Sequence, residues 1–184
     1  MDKLFCVIDV ESMGLYGEGF QVGYTLVNRE RERLEEGLIF TEMEYAQGLN
    51  RDFTWVSENV KSKICADEST IDIYKLSSIS KVRDLFWEKW LKFKKHGAYI
   101  AADCIFPVES NFLISCVNQN TYQRAWDAPY PFIEISTLIL ACGQEPTATY
   151  DRLEDEKPQH NALADARQSA RIMLDCFDKL KLFL

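Results

Sequence analysis

The chain opens with the apolar run Leu4-Phe5-Cys6-Val7-Ile8, followed directly by Asp9-Val10-Glu11. The run is short, is rich in bulky residues and leads into a glycine-containing loop over residues 14–19, which predicts a buried β-strand. Because side chains alternate along a strand, Asp9 and Glu11 share one face. Their carboxylates repel each other unless a hard cation such as magnesium or manganese lies between them. Taken alone, such a triplet is more often a solvated strand end.

Length and composition set the class of protein. A chain of 184 residues predicts a single domain over residues 1–184, and 47% hydrophobic content with 12% aromatic residues argues against disorder. The formal net charge of −8 is the opposite of a broad nucleic-acid-binding surface. A polyanionic partner would therefore need local attraction from bound metal ions or small Lys/Arg clusters. The alternative is that the acidity only keeps the protein soluble.

The cysteines and the apolar runs indicate in which compartment the protein functions. The six cysteines are scattered without a Cys-x-x-Cys pair, which argues against a zinc site and against a disulfide framework. No basic-then-apolar leader precedes the first strand, and no apolar run approaches the length of a membrane span. We therefore expect a cytoplasmic protein without a membrane partner.

Hydrophobic periodicity predicts three strands, followed by helices that alternate with two further strands. The predicted strands cover residues 4–8, 20–28, 36–41, 98–103 and 132–135. The predicted helices cover residues 78 or 80 to 96, a segment that opens at Pro107, residues 136–142 and residues 162–180. Residues 44–76 are expected to form short helices and loops. This order predicts an α/β fold with a mixed sheet, three antiparallel strands followed by parallel strands, and helices on both faces.

A second group of functional residue types lies in His160-Asn161-Ala162-Leu163-Ala164-Asp165. Asn161 can cap the last helix, which places Asp165 in its first turns, beside the apolar stripe. His160 lies on the preceding loop, and the small alanines allow the helix backbone to approach another element. An acidic residue in the apolar contact region of a helix departs from the usual surface arrangement. The ordinary alternative for His160 is a plain loop histidine.

Asp9-Val10-Glu11 after a core strand, together with His160 five residues before Asp165, resembles the DEDDh 3'-5' exonucleases. These form the RNase T and oligoribonuclease-like branch of the ribonuclease H-like superfamily. The resemblance extends over essentially the whole chain in element order and motif spacing. It implies a ribonuclease H-like fold, in which Asp9, Glu11 and Asp165 bind two Mg²⁺ or Mn²⁺ ions. It also implies that His160 is the general base that deprotonates the attacking water.

The second acidic motif departs from the family pattern. Members usually carry an aspartate near the start of the helix after the fourth strand, followed three and four residues later by Phe and Leu. Phe112 and Leu113 are present here, but Glu109 occupies the matching position, and Asp103 at the strand end has the expected type in a different frame. The frame and the helix dipole favour Glu109, whereas residue identity favours Asp103. Both stay candidates for the metal-binding and catalytic carboxylate.

The resemblance also suggests residues that contact the substrate. Ser12, Met13, Gly14 and Leu15 would pack on the last base and ribose, although Met13 and Leu15 fit simple core contacts equally well. Phe106 is a candidate for stacking on a base, while aromatic residues at such positions more often pack against the helix.

The function implied by the resemblance is 3'-5' exonuclease activity, a metal-dependent phosphodiester hydrolysis that releases nucleoside monophosphates from single-stranded RNA or DNA. Two alternatives stay open. One is a narrow hydrolase of diribonucleotides or short oligonucleotides, and the other is a ribonuclease H-like module that binds nucleic acid or protein without cleaving. Members of the resembling group are often homodimers. The apolar tail of Leu180, Leu182, Phe183 and Leu184 is either a contact surface for such a dimer or simply the helix end.

Overall fold

The computed structural model describes residues 3–41, 50–60, 63 and 71–182. Within them, six strands form one sheet. The strands are β1 (Leu4–Ser12), β2 (Gly19–Asn28), β3 (Arg33–Thr41), β4 (Asp72–Leu76), β5 (Tyr99–Ala102) and β6 (Phe132–Glu134). Their order across the sheet is β4-β3-β2-β1-β5-β6.

Six α-helices accompany the sheet in the described ranges. They are α1 (Asn50–Asn59), α2 (Ile79–Lys95), α3 (Val108–Asn118), α4 (Thr121–Arg124), α5 (Ile135–Ala141) and α6 (Ala162–Lys179). Short 3₁₀ turns lie at Ala125–Asp127 and Glu154–Glu156. In the part of the chain that the structure describes, no helix combines the length and the apolar character needed to span a membrane.

The sheet is mixed, as predicted. β1, β2 and β3 pair antiparallel, whereas β5 runs parallel to β1, β6 parallel to β5 and β4 parallel to β3. The carboxyl ends of β1, β5 and β6 therefore lie at one edge of the sheet, which is where α/β proteins commonly bind ligands. The predicted site residues Asp9, Glu11 and Asp103 lie at or next to this edge.

Helices cover both faces of the sheet, which confirms the predicted α/β architecture. Phe86 and Trp90 of α2 and Phe112 of α3 are buried on one face. Met173 and Phe177 of α6 are buried on the other face, together with residues of α5. β1 lies between these layers, because its alternate side chains enter opposite clusters.

The sequence prediction was wrong in the least patterned segments. β4 was not predicted, because it is a partly exposed edge strand whose residues do not alternate cleanly. α4 was also missed, since it has only four residues and none is buried. Pro107, by contrast, opens α3 as predicted, because it directly precedes Val108 and its carbonyl accepts the Asn111 N–H. β1 continues to Ser12, so Asp9 and Glu11 lie within the strand and not after it.

Two predictions reach beyond the described ranges. Much of the expected short helices and loops at 44–76 lies outside the described residues, although α1 falls inside the segment. In the apolar tail, Leu180 and Leu182 pack against the core on the α6 face. Phe183 and Leu184 lie outside the described residues. The homodimer stays a prediction.

Candidate active site

The carboxyl half of β1 carries the first two carboxylates of the site. Asp9 pairs with Gly23 of β2, and Glu11 pairs with Gln21. Asp9 and Glu11 lie two residues apart in one strand, so their side chains share the face that α6 covers. The neighbouring Phe5 and Val7 on the same face belong to the core under α6. The two carboxylates therefore continue a buried row at the sheet edge.

The first turn of α6 is pressed directly onto β2. A Cβ added at Gly23 would lie 2.2 Å from the carbonyl carbon of Ala162 and 2.2 Å from the backbone nitrogen of Leu163. Next to this contact, the Gln21 side chain accepts a hydrogen bond from the Ala162 N–H at 3.0 Å. Asn161 caps the helix by accepting hydrogen bonds from the N–H groups of Leu163 and Ala164, each at 3.1 Å.

This contact between α6 and β2 brings Asp165 and His160 to Glu11. One ligand atom from each of these three side chains lies within 4.8 Å of the others. His160 Nδ1 is 3.9 Å from Glu11 Oε1, and the His160 backbone N–H donates to Asp165 Oδ2 at 2.9 Å. His160 adopts a left-handed backbone conformation with φ of 63°, which turns the chain from the loop into the cap of α6.

Glu109 joins the group from the other side of β1. It lies in the first turn of α3, is 5% exposed and accepts a hydrogen bond from the Val10 N–H at 3.3 Å. Its side chain therefore reaches the backbone between Asp9 and Glu11. Carboxylates from β1, α3 and α6 are thus gathered at one end of the sheet.

Asp103 lies at the end of β5, next to this group, and has a separate hydrogen bond. Its Oδ1 accepts from the Ser136 hydroxyl of α5 at 2.5 Å. Its negative charge raises the pKa of Glu109, although it contributes less than burial and Glu11 do. The geometry thus places both second-motif candidates at the site edge, with Glu109 the one that contacts β1.

Crowding and burial make these carboxylates costly to ionise. Burial, followed by the charges of Asp165, Glu11 and Glu109, raises the pKa of Asp9 well above its usual range. Burial raises the pKa of Glu11 to about 8, with a further contribution from Asp165, and burial likewise raises the pKa of Glu109 to about 8. Burial also raises the pKa of Asp165. A bound cation would remove this penalty, because it favours the charged form of each group.

The pKa of His160 shifts in the other direction, downward. Burial lowers its pKa, and the positive charges of Lys63 and Arg152 add to this effect against the opposing charge of Asp165. The imidazole is therefore neutral at pH 7 and able to accept a proton. The Trp55 ring of α1 packs against it edge to face, with centroids 5.1 Å apart.

An open cleft of about 310 Å³ begins at Glu11. Among the predicted substrate contacts, Ser12, Gly14 and Leu15 line it, and Leu15 is 64% exposed. Met13 instead packs against a small core of Phe20, Val56 and Val60. This position agrees with the alternative that Met13 is a core contact. Phe106 is 74% exposed, and its stacking on a base stays a prediction.

Several residues of the site carry no clear signal in the sequence. Arg152 lies 2.5 Å from Asp165 Oδ1 through its Nη1 atom. Lys63 is close enough to lower the pKa of Glu11. Gly23 is the exception among these residues, since an isolated glycine within a strand pattern indicates a close backbone approach.

The donor set fits hard divalent cations. Carboxylate oxygens are the ligands that Mg²⁺ and Mn²⁺ prefer, and here Asp9, Glu11, Glu109 and Asp165 bring them from three elements. Asp165 Oδ1 is buried, and the cation beside it among the described residues is the guanidinium of Arg152.

Comparison with solved structures identifies the fold. E. coli exonuclease I in complex with a dA16 oligonucleotide matches with a TM-score of 0.63 and 12% identity, over 97% of this chain and 43% of that one. The same enzyme with dT13 gives 0.64 and 12%, over 98% and 42%. A moderately thermophilic exonuclease I from Methylocaldum szegediense gives 0.59 and 14%, over 99% and 42%. The chain shares the fold of a part of exonuclease I.

The predicted ribonuclease H-like mixed sheet is thereby confirmed. The chain spans about 42–43% of the length of these neighbours. The structural similarity does not show that the chain belongs to the narrower RNase T and oligoribonuclease-like branch. No family model and no curated protein matches the sequence.

Proposed function

We propose that this chain is a metal-dependent 3'-5' exonuclease that removes nucleoside monophosphates from single-stranded nucleic acid. One observation carries the proposal: carboxylates from β1, α3 and α6 converge beside a neutral histidine at the mouth of an open cleft. Hydrolysis of a phosphodiester needs this combination of anionic metal ligands and a proton acceptor. The exonuclease fold supports the same conclusion.

Asp9, Glu11 and Asp165 would hold the ions, and Glu109 would complete the set through its position against β1. Two bound Mg²⁺ or Mn²⁺ ions would supply charge neutralisation at the phosphate and lower the pKa of the attacking water. Asp103 would not bind an ion directly, because its Oδ1 atom accepts a hydrogen bond from the Ser136 hydroxyl.

His160 would accept the proton of the attacking water. Its neutral state at pH 7 suits a base, and its Nδ1 atom lies 3.9 Å from Glu11 Oε1, at the edge of the metal ligands. Trp55 would hold the imidazole ring against the cleft. The cleft walls at Ser12, Gly14 and Leu15 would receive the terminal nucleotide.

Single-stranded DNA is the first substrate to test, because E. coli exonuclease I was determined with dA16 and dT13 oligonucleotides. The net charge of −8 also suits a strand gripped at its end better than a long duplex footprint. RNA stays an alternative, since recognition of the 2'-hydroxyl depends on contacts inside the cleft.

The test is the digestion of 5'-labelled oligo-dT and oligo-U in Mn²⁺, with EDTA as the metal-free arm. We expect a ladder that shortens from the 3' end, and Asp9→Ala should lose at least about a hundredfold in rate. Asp127→Ala is the matched control, because Asp127 is an acid outside the proposed site that pairs with Lys94 in the last turn of α2.

Two results would contradict the proposal. Equal rates for wild type and Asp9→Ala would mean that the activity belongs to a contaminant or to another site. Tight binding of the strand without any cleavage in Mn²⁺ would instead identify a ribonuclease H-like binding module.

A further inference from the structure

The loop before α6 places a permanent cation inside the acidic group. Arg152 Nη1 lies 2.5 Å from Asp165 Oδ1, and the two side chains are only 19% and 14% exposed. The same Nη1 donates to the backbone oxygen of Glu156 at 2.8 Å, which fixes the guanidinium to the 3₁₀ turn. Because its loop is anchored there, the guanidinium is held against Asp165 by the fold.

Arg152 and Asp165 form a close ion pair. The guanidinium faces the Oδ1 atom of Asp165. The other oxygen, Oδ2, is held by the His160 N–H. Asp165 is thus held by the His160 N–H through one oxygen and paired with the positive charge of Arg152 through the other.

The charge of Arg152 acts on the whole group. It lowers the pKa of Asp9 and that of Asp165, and it also lowers the pKa of His160. A guanidinium cannot lose its proton at physiological pH, so this charge is always present. It offsets part of the repulsion among the carboxylates when no metal ion is bound.

We propose that Arg152 substitutes for a divalent cation at Asp165 in the metal-free protein and opposes the binding of that cation. This inference rests on the proposed function, since it takes Asp165 as a metal ligand. A dication that approaches Asp165 is repelled by the guanidinium beside it. The arginine therefore stabilises the empty site and weakens metal affinity.

The test measures Mn²⁺ binding by isothermal titration calorimetry in wild type, Arg152→Gln and Arg152→Lys, without substrate. We expect Arg152→Gln to bind Mn²⁺ about tenfold more tightly, which is about 1.4 kcal/mol. Arg152→Lys keeps the charge and should bind nearly as wild type does. Arg152→Met serves the same comparison if the glutamine variant does not fold.

Thermal unfolding gives a second readout. Without metal, Arg152→Gln should unfold at a lower temperature than wild type, because the carboxylates lose their compensating charge, and saturating Mn²⁺ should raise its midpoint by more than it raises that of wild type. Arg171→Gln is the matched control. Arg171 pairs with Glu156 of the same turn, so its loss should lower stability without changing Mn²⁺ affinity.

The outcomes separate this inference from the proposed function. Unchanged or weaker Mn²⁺ binding by Arg152→Gln, in a protein whose wild type binds Mn²⁺ and cleaves, would overturn the inference alone. Absence of both Mn²⁺ binding and cleavage in wild type would overturn the proposed function and the inference with it.

Discussion

Replacing Gly23 by alanine should push α6, with its Asp165, away from the carboxylates of β1 and leave the fold intact. The added methyl carbon would lie 2.2 Å from two backbone atoms of α6 and 2.3 Å from the Ala162 oxygen. Ordinary contacts between such atoms begin at about 3.5 Å. Backbone atoms cannot rotate away as a side chain does, so the first turn of α6 must retreat by about 1 Å.

This displacement falls on the site itself. Gly23 is the strand partner of Asp9, and the turn that must move leads into Asp165 and is preceded by His160. Overpacking of this kind costs about 1–3 kcal/mol of stability. A misplacement of about 1 Å costs about a hundredfold in rate when the groups must be aligned for reaction. We therefore expect Gly23→Ala to stay folded and to lose about a hundredfold in nuclease rate.

The assay compares the rate of oligo-dT digestion with the free energy of unfolding in urea. Gly37→Ala is the matched control, because its Cβ would meet the Tyr24 hydroxyl at 2.5 Å. Tyr24 belongs to the core on the opposite face of the sheet, so Gly37→Ala should lose stability and keep its rate. A Gly23→Ala protein with the wild-type rate would refute the argument that the approach of α6 to β2 assembles the site.

Three further predictions concern single groups of the site. Glu109→Gln should weaken Mn²⁺ binding at least about tenfold in a calorimetric titration, whereas Asp103→Asn should change it less than about twofold, and the reverse order would make Asp103 the ligand. His160→Ala should lose about a hundredfold in rate while Mn²⁺ affinity stays within about twofold, and a matching loss of affinity would make His160 a ligand and not a base. Because the pKa values of Glu11 and Glu109 are raised to about 8 in the folded protein, the metal-free protein should lose stability as the pH rises from about 5 to about 8. Urea unfolding over that range measures this loss, and stability that rises with pH would contradict the assignment of buried, uncompensated carboxylates.

The elements that form the site were predictable where their pattern is local. The apolar run before Asp9 and the capping residue Asn161 each follow from a few neighbouring residues. Antiparallel pairing of β1, β2 and β3 follows from their short links. These features position Asp9, Glu11 and Asp165 of the candidate site.

What the sequence could not predict depends on contacts between distant segments. Arg152 reaches Asp165 only because its loop folds back over the start of α6, and no periodicity marks such a loop residue. The preference for Glu109 over Asp103 depends on how α3 lies against β1. The edge strand β4 lacks a buried face that would impose alternation on its residues.

Crystals grown with Mn²⁺ and thymidine monophosphate test the central claim most directly, through the anomalous signal of manganese. The account predicts two peaks about 4 Å apart, both within bonding distance of carboxylates from the set Asp9, Glu11, Glu109 and Asp165. Peaks elsewhere, or no peak at these carboxylates at saturating Mn²⁺, would contradict it.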